Sequence, residues 1–238
     1  MTQPWLNDAW PVRKESLGWW GRAVPADPFD SAAGSEVTTP SSHYIDVNYT
    51  HTTTAESSTL LIYIMALNAS QLSGSLQFWC NTGVRRWWQP YAPSAPSLGG
   101  MAVYEITGVP PGDHAIIGEA SSTESSDTIS EVHVASVAYA AIGSSLHLHA
   151  YYWNTNSSDD ISFINSSGLQ APNLVAGCLY SGASISTPIT STSTSIKTRY
   201  STNGMTLWDG VGVGAQLTCT AQQAASARWL SMASGVYL

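Results

Sequence analysis

Two histidines in "LHLH", His147 and His149, stand two positions apart, the spacing at which a strand turns both imidazoles to one face. Strand-borne metal sites use that spacing and add a third ligand, but here the chain runs on as "AYYWNTN" with no carboxylate before Asp159. Two imidazoles without a third donor make no selective site. No metal is expected, and the pair reads as the hydrogen-bonded face of a strand. Glycosidase chemistry needs two facing carboxylates. Glu105, Glu119 and Glu131 all fall on expected strands, where each reads as part of a solvated strand face. His114, directly after Asp113, reads as turn chemistry. No G-x-S-x-G elbow marks a serine nucleophile. The glycines of "DGVGVGAQL" alternate inside a strand instead of leading a phosphate loop into a helix. The expectation is a protein that is not an enzyme and holds no cofactor.

Recognition is better represented. In "FWCNTGVRRWWQPYAPSAP", residues 78 to 96, three tryptophans and two arginines crowd together. "LQFWC", "NTG" and "VRRWWQ" read as a hairpin with a three-residue loop, Gly83 taking the left-handed position of a G1 bulge. Pairing Cys80 with Val84 sets Trp79 opposite Arg85, Phe78 opposite Arg86, Gln77 opposite Trp87 and Leu76 opposite Trp88. One face is then core: Leu76, Phe78, Cys80, Val84 and Trp88, with Arg86 at its edge. The other carries Gln77, Trp79, Arg85 and Trp87, where guanidinium and indole can make a cation–π contact worth about 0.5–2 kcal/mol. With Tyr91 in the loop that follows, Trp79, Arg85 and Trp87 form a subunit interface or a ligand platform. Aromatics and Arg are enriched at interface hot spots, and a glycan would stack on the same rings. These residues leave both open.

The elements that must position this cluster are strands. Charged residues make up 10% of the 238 positions, against about 25% in an ordinary domain, while Ser and Thr together supply 57. Hydroxyls wet this surface, and little charge keeps copies apart. The net charge of −8 argues against nucleic acid, because phosphate binding needs clustered Lys and Arg. Cys80, Cys178 and Cys219 show no metal spacing and read as small buried hydrophobes. The N-terminus lacks the apolar core of a secretory signal. The longest apolar run, "LLIYIMAL", is far short of the ~20 residues of a membrane helix. A soluble chain made in a cytoplasm is expected, wherever it ends. The four Asn-x-Ser/Thr matches, at Asn48, Asn68, Asn156 and Asn165, are what so Ser/Thr-rich a chain contains by chance.

Residues 1 to 34 read as an extended arm. Pro4, Pro11, Pro25 and Pro28 interrupt any ladder, and Trp5, Trp10, Trp19 and Trp20 need a surface to dock on, in this domain or in another chain. Residues 35 to 238 read as one all-β domain. "HYIDVNYTH" alternates, with Tyr44, Asp46, Asn48 and Thr50 opposite Ile45, Val47 and Tyr49. "STLLIYIMALNAS" is apolar throughout and reads as a central strand buried on both faces. In "ISEVHVASVAYAAIG", Val132, Val134, Ser136 and Ala138 stand opposite His133, Ala135, Val137 and Tyr139. Only "TAQQAASARWL" has a helical look. Many short strands between Gly-, Asn-, Ser- and Asp-rich turns indicate an antiparallel β-sandwich or jelly roll.

A strand, a Pro-Gly turn and a strand lead from "YEITGVPPGDHAIIGEASS" into "SEVHVASVAYAAIGSS". That pattern resembles minor tail proteins of phages infecting actinobacteria, of the mycobacteriophage kind. The closing part, "LVAGCLYSGASISTPITSTSTSIKTRYST" through "RWLSMASGVYL", is similar to the same proteins, so the resemblance spans roughly residues 100 to 238. It does not include the Trp/Pro-rich arm or "VRRWWQP". The resemblance implies a β-sandwich virion protein of the tail tip or fibre region, with the host envelope as a candidate contact, and it carries no catalytic motif. The expected partners are other virion proteins through the arm, further copies of the chain in a closed oligomer with a trimer preferred, and a host cell-surface glycan. A head decoration protein and a carbohydrate-binding module are the alternatives.

Overall fold

The computed structural model describes residues 27–38, 42–56, 58–68, 72–90, 99–140, 146–165, 173–192, 194–202, 204–212 and 217–237. Side chains are outside this description at 86–90, 146–158, 164–165, 173, 211–212 and 234–237. The chain forms strands β1 (Phe29–Val37), β2 (Tyr44–Thr53), β3 (Ser58–Leu67), β4 (Leu76–Cys80), β5 (Val84–Pro90), β6 (Gly99–Val109) and β7 (Gly112–Ser122). It continues through β8 (Glu131–Ala140), β9 (Leu146–Asn165), β10 (Asn173–Ser181), β11 (Ile185–Ser191), β12 (Ile196–Ser201), β13 (Met205–Gly212) and β14 (Leu217–Tyr237), with no helix among the described residues.

Every residue of β3 is buried, and that strand organises the fold. Leu60, Ile62, Ile64 and Ala66 pack toward one neighbouring sheet with Ile45, Val47, Phe78 and Ile116. Leu61, Tyr63, Met65 and Leu67 pack toward another with Leu174, Cys178, Leu207 and Met232. Each such aliphatic side chain stabilises the fold by about 1.5–3 kcal/mol through burial. The central sheet therefore runs β1-β8-β3-β6-β5, and the sheet β2-β7-β4 covers one face of it. Strands β1, β8, β3 and β6 facing β2, β7 and β4 are in jelly-roll order. The other face meets β10, β13 and the C-terminal half of β14. The fold is all-β and antiparallel, a sandwich as the patterning predicts.

The second half is built on two long strands. Residues 227–236 of β14 pair with the first part of β9, and residues 217–222 with its last part. Pairing jumps from Gln222 to Ala227 while β9 moves only from Asp160 to Ser158, so β14 bulges there. Its two halves line one further core with Phe163, Val175, Ile189 and Trp208. Trp208 has no exposed surface because its ladder partner is Gly177, where even a Cβ would come within 2.3 Å of the indole.

Four expectations about arm, strands and turns need correction. Residues 29–34, assigned to the arm, are the start of β1 and pair with β8. "TAQQAASARWL" is strand, because β9 on one side and β10 and β11 on the other claim its backbone, outweighing the helix preference of its alanines. Asp113 and His114 lie in β7 opposite Thr52 and His51, with His114 Nε2 3.0 Å from the Pro110 carbonyl.

The fourth concerns the hairpin. β4 pairs with β7 and β5 with β6, in different sheets. Asn81 takes β7 in place of a continuing strand: its backbone N–H donates to the Ile117 carbonyl (3.0 Å), its Nδ2 to the Ala115 carbonyl (3.0 Å), and its Oδ1 accepts from the Ile117 N–H (2.9 Å). Gly83 is left-handed as expected, with φ of 83°, but it turns the chain onto the neighbouring sheet. A Cβ there would lie 3.0 Å from the Glu105 carbonyl oxygen. A three-residue loop serves a sheet-crossing corner as well as a hairpin.

Candidate functional site

Trp79 is where the sequence places a recognition residue, and the structure gives it different company. On the outer face of β2-β7-β4, the register sets Tyr44, Ser121 and Gln77 in one row across the strands. Asp46, Glu119 and Trp79 form the next row. The period of two puts all six on the same side, since Ile45, Phe78, Cys80 and Ala120 between them are buried. Trp79 is 51% exposed and Tyr44 44%. Together with Gln77, Phe78, Glu119 and Ser121 they line a shallow, open depression.

Strand spacing separates the main chains of Tyr44 and Trp79 by roughly 10 Å across the sheet and about 7 Å along it. Glu119 stands on the strand between the two rings, and Asp46 stands next to Tyr44 on β2. The charge of Glu119 beside the Tyr44 hydroxyl is the main reason that phenol is held above its ordinary pKa, and Glu119 also accepts its hydrogen bond. Neither ring is spent on packing the core. Two flat apolar faces separated by hydrogen-bonding groups suit a ligand with apolar faces and polar edges.

The other expected platform residues do not join Trp79. Arg85 stands on β5 with its main chain opposite Tyr104, at the edge of the central sheet. There it hydrogen-bonds the Tyr104 hydroxyl, which burial nonetheless holds above its ordinary pKa and which donates to the Phe78 carbonyl at 2.8 Å. The main chain of Trp87 pairs with Val103. Its side chain, that of Trp88, Tyr91, and Trp5, Trp10, Trp19 and Trp20 of the arm lie outside the described residues. So do the side chains of His147 and His149, whose main chain pairs with Gly235 and Ser234.

The three glutamates do not converge. Glu119 is on the outer sheet, while Glu105 and Glu131 are on the central one, where Glu105 is 3% exposed and not solvated as expected. They pair with Leu61 and Leu67 of β3, six residues and so roughly 20 Å apart along the strand. Paired glycosidase carboxylates stand about 5–10 Å apart.

Three polar clusters tie the layers together, and none was legible in the sequence because each joins residues distant along the chain. His51 is fully buried, with Nδ1 2.6 Å from Ser136 Oγ and Nε2 2.9 Å from Ser31 Oγ, while the Tyr49 hydroxyl donates to Ser136 Oγ at 2.7 Å. Histidine–serine contact is the arrangement of an activated nucleophile, but Ser136 also has no exposed surface and no substrate reaches it. Burial pushes the His51 pKa down to about 4.

Where the central sheet meets β10, His133 Nδ1 lies 2.9 Å from Glu36 and Nε2 3.6 Å from Glu131, which accepts a hydrogen bond from the Tyr180 hydroxyl. Burial works against the charge of Glu131, but the bonds to His133 and Tyr180 outweigh it and hold the carboxyl below its ordinary pKa. At the start of β1, Arg199 bridges buried Asp209 (2.7 Å) and Asp27 (2.5 Å) and lies 4.3 Å from the centre of the Phe29 ring. Among the described residues no group of three or more His, Cys, Asp or Glu could hold a metal ion. Cys80, Cys178 and Cys219 are free and buried, as expected.

No family model and no curated protein matches the chain. Among solved structures it is similar to a conserved protein of unknown function from Pseudomonas aeruginosa PAO1, at 8% identity and a TM-score of 0.28, over 87% of this chain and 82% of that one.

Proposed function

We propose that this protein is a non-enzymatic structural protein of a phage particle, a minor component of the tail tip or fibre region, that contacts the host envelope by binding glycan. The observation that carries the binding part is the outer face of β2-β7-β4, where half-exposed Trp79 and Tyr44 flank Glu119, Gln77 and Ser121. The virion part rests on the resemblance of residues 100 to 238 to actinobacteriophage minor tail proteins. A glycan suits this face better than a protein partner, because interface cores are depleted of charged residues and here carboxylates stand among the aromatic rings.

The test uses the purified full-length chain on isolated host cell envelopes. Wild type is retained and Trp79→Ala is washed away, while periodate oxidation of the envelope removes the retention of wild type. Retention that survives both treatments overturns the glycan reading. Gold-labelled antibody on intact particles places the protein at the tail, and labelling of the head shell overturns the tail assignment in favour of head decoration.

A further inference from the structure

The two aromatic side chains of the candidate face stand on opposite edge strands of a three-stranded sheet, Tyr44 on β2 and Trp79 on β4, with β7 between them. One sugar ring stacked flat on Trp79 cannot also stack on the ring of Tyr44, whose main chain lies two strands away, roughly 10 Å across the sheet. The ground between is polar: Gln77, Ser121 and Glu119, with Asp46 beyond Glu119 in its row. None of these six side chains is cationic, and the central carboxylate already accepts the Tyr44 hydroxyl. Arg85 belongs to the edge of the central sheet, on Tyr104. A carboxylated or phosphorylated ligand would set like charges against Glu119 and Asp46 and find no counter-charge among these six side chains. Hydroxyl groups, by contrast, donate well to carboxylate oxygens.

Building on the glycan-binding reading, we propose that the ligand is an uncharged linear oligosaccharide that crosses β4, β7 and β2. It stacks one ring on Trp79 and a later ring on Tyr44, and donates hydroxyl hydrogen bonds to Glu119 in between. Chain length is read by the separation of the two aromatic residues, and charge by the carboxylates. A monosaccharide engages one end alone, and a uronic acid oligomer is repelled in the middle.

Calorimetric titration of the full chain with neutral hexose and pentose hexasaccharides, their monosaccharides, a uronic acid hexasaccharide and a free-amine glucosamine hexasaccharide tests this. At least one neutral hexasaccharide is expected to bind more than about ten-fold tighter than both its monosaccharide and the uronic acid oligomer. Tyr44→Ala should reduce that hexasaccharide to the affinity of its monosaccharide, and Trp79→Ala should abolish binding. Glu119→Gln should narrow the gap between neutral and acidic oligomers. Thermal melts of each variant establish that it is folded.

Equal affinity for short and long sugars, a preference for the acidic or amino oligomer, or indifference to Tyr44→Ala overturns this inference while Trp79-dependent binding still upholds the glycan reading. Absence of binding to every sugar, or binding that Trp79→Ala leaves intact, removes the glycan reading and this inference with it.

Discussion

Phe78 and Trp79 are adjacent on β4 and point to opposite faces of the same three-stranded sheet. Phe78 is 5% exposed in the core between the two sheets, while Trp79 is 51% exposed beside Glu119. The same division runs along β2, where His51 and Tyr49 turn toward Ser136 inside, and Tyr44 and Asp46 face solvent. The residue types on the two faces are alike: aromatic rings, hydroxyls and titratable groups. Access separates them. Inside, a histidine touching a serine is a pin between layers, because nothing can approach it. Outside, a tyrosine touching a carboxylate remains available to a ligand.

Substitutions on the two faces should therefore fail in different assays. The largest effect is expected from Phe78→Ala, which removes a buried ring and should cost about 3–5 kcal/mol of stability in denaturant unfolding. A cost below about 1 kcal/mol would mean that this face of β4 is not core.

Next comes acid. His51 is neutral when folded, with a pKa of about 4 against 6.5 for the exposed side chain. Between those values the unfolded chain takes up a proton that the folded one refuses. Stability is thus intact above pH 6.5 and declines as pH falls toward 4, by on the order of 3 kcal/mol. Below that range Asp27 contributes separately. Partial burial opposes its charge, but Arg199 and Lys197 hold its carboxyl at about 2, so its share is lost as pH falls from about 4 toward 2. Unfolding curves at pH 7, 5.5, 4 and 2.5 for wild type and His51→Gln separate the two, since the variant should lose the slope above pH 4 and keep that below it.

The smallest expected effect is that of Trp79→Ala on stability, within about 0.5 kcal/mol of wild type. If it destabilises the chain as much as Phe78→Ala, the outer ring is part of the packing and the contrast between the faces disappears.

Strand-scale patterning was legible in the residues. The alternation of β2 and the unbroken apolar run of β3 predict which side chains are buried, because a strand's period of two is a local property. Gly83 in a left-handed turn was legible for the same reason. Which sheet the chain enters after Gly83 was not, because that depends on Asn81 capping onto Ile117 and Ala115, more than thirty residues away. β1 was hidden by its composition: "FDSAAGSEV" has little strand preference and is held by pairing with β8. The candidate site was half legible. Trp79 stood out by type and Tyr44 lay on the polar side of an alternating strand, but Glu119 between them is a matter of register, as is the separation of Arg85 from Trp79.

The central sheet is covered on both sides, and its two covers are synthesised at different times. Strands β1 to β8 are complete once residue 140 has been made, with β2, β7 and β4 already available to close one side. Leu61, Tyr63, Met65, Val137 and Tyr139 on the other side wait for β10, β13 and the part of β14 around Met232. About 90 further residues must leave the ribosome first, roughly 5–20 s of translation. For that interval a growing chain displays a row of bare apolar side chains to any nascent copy beside it.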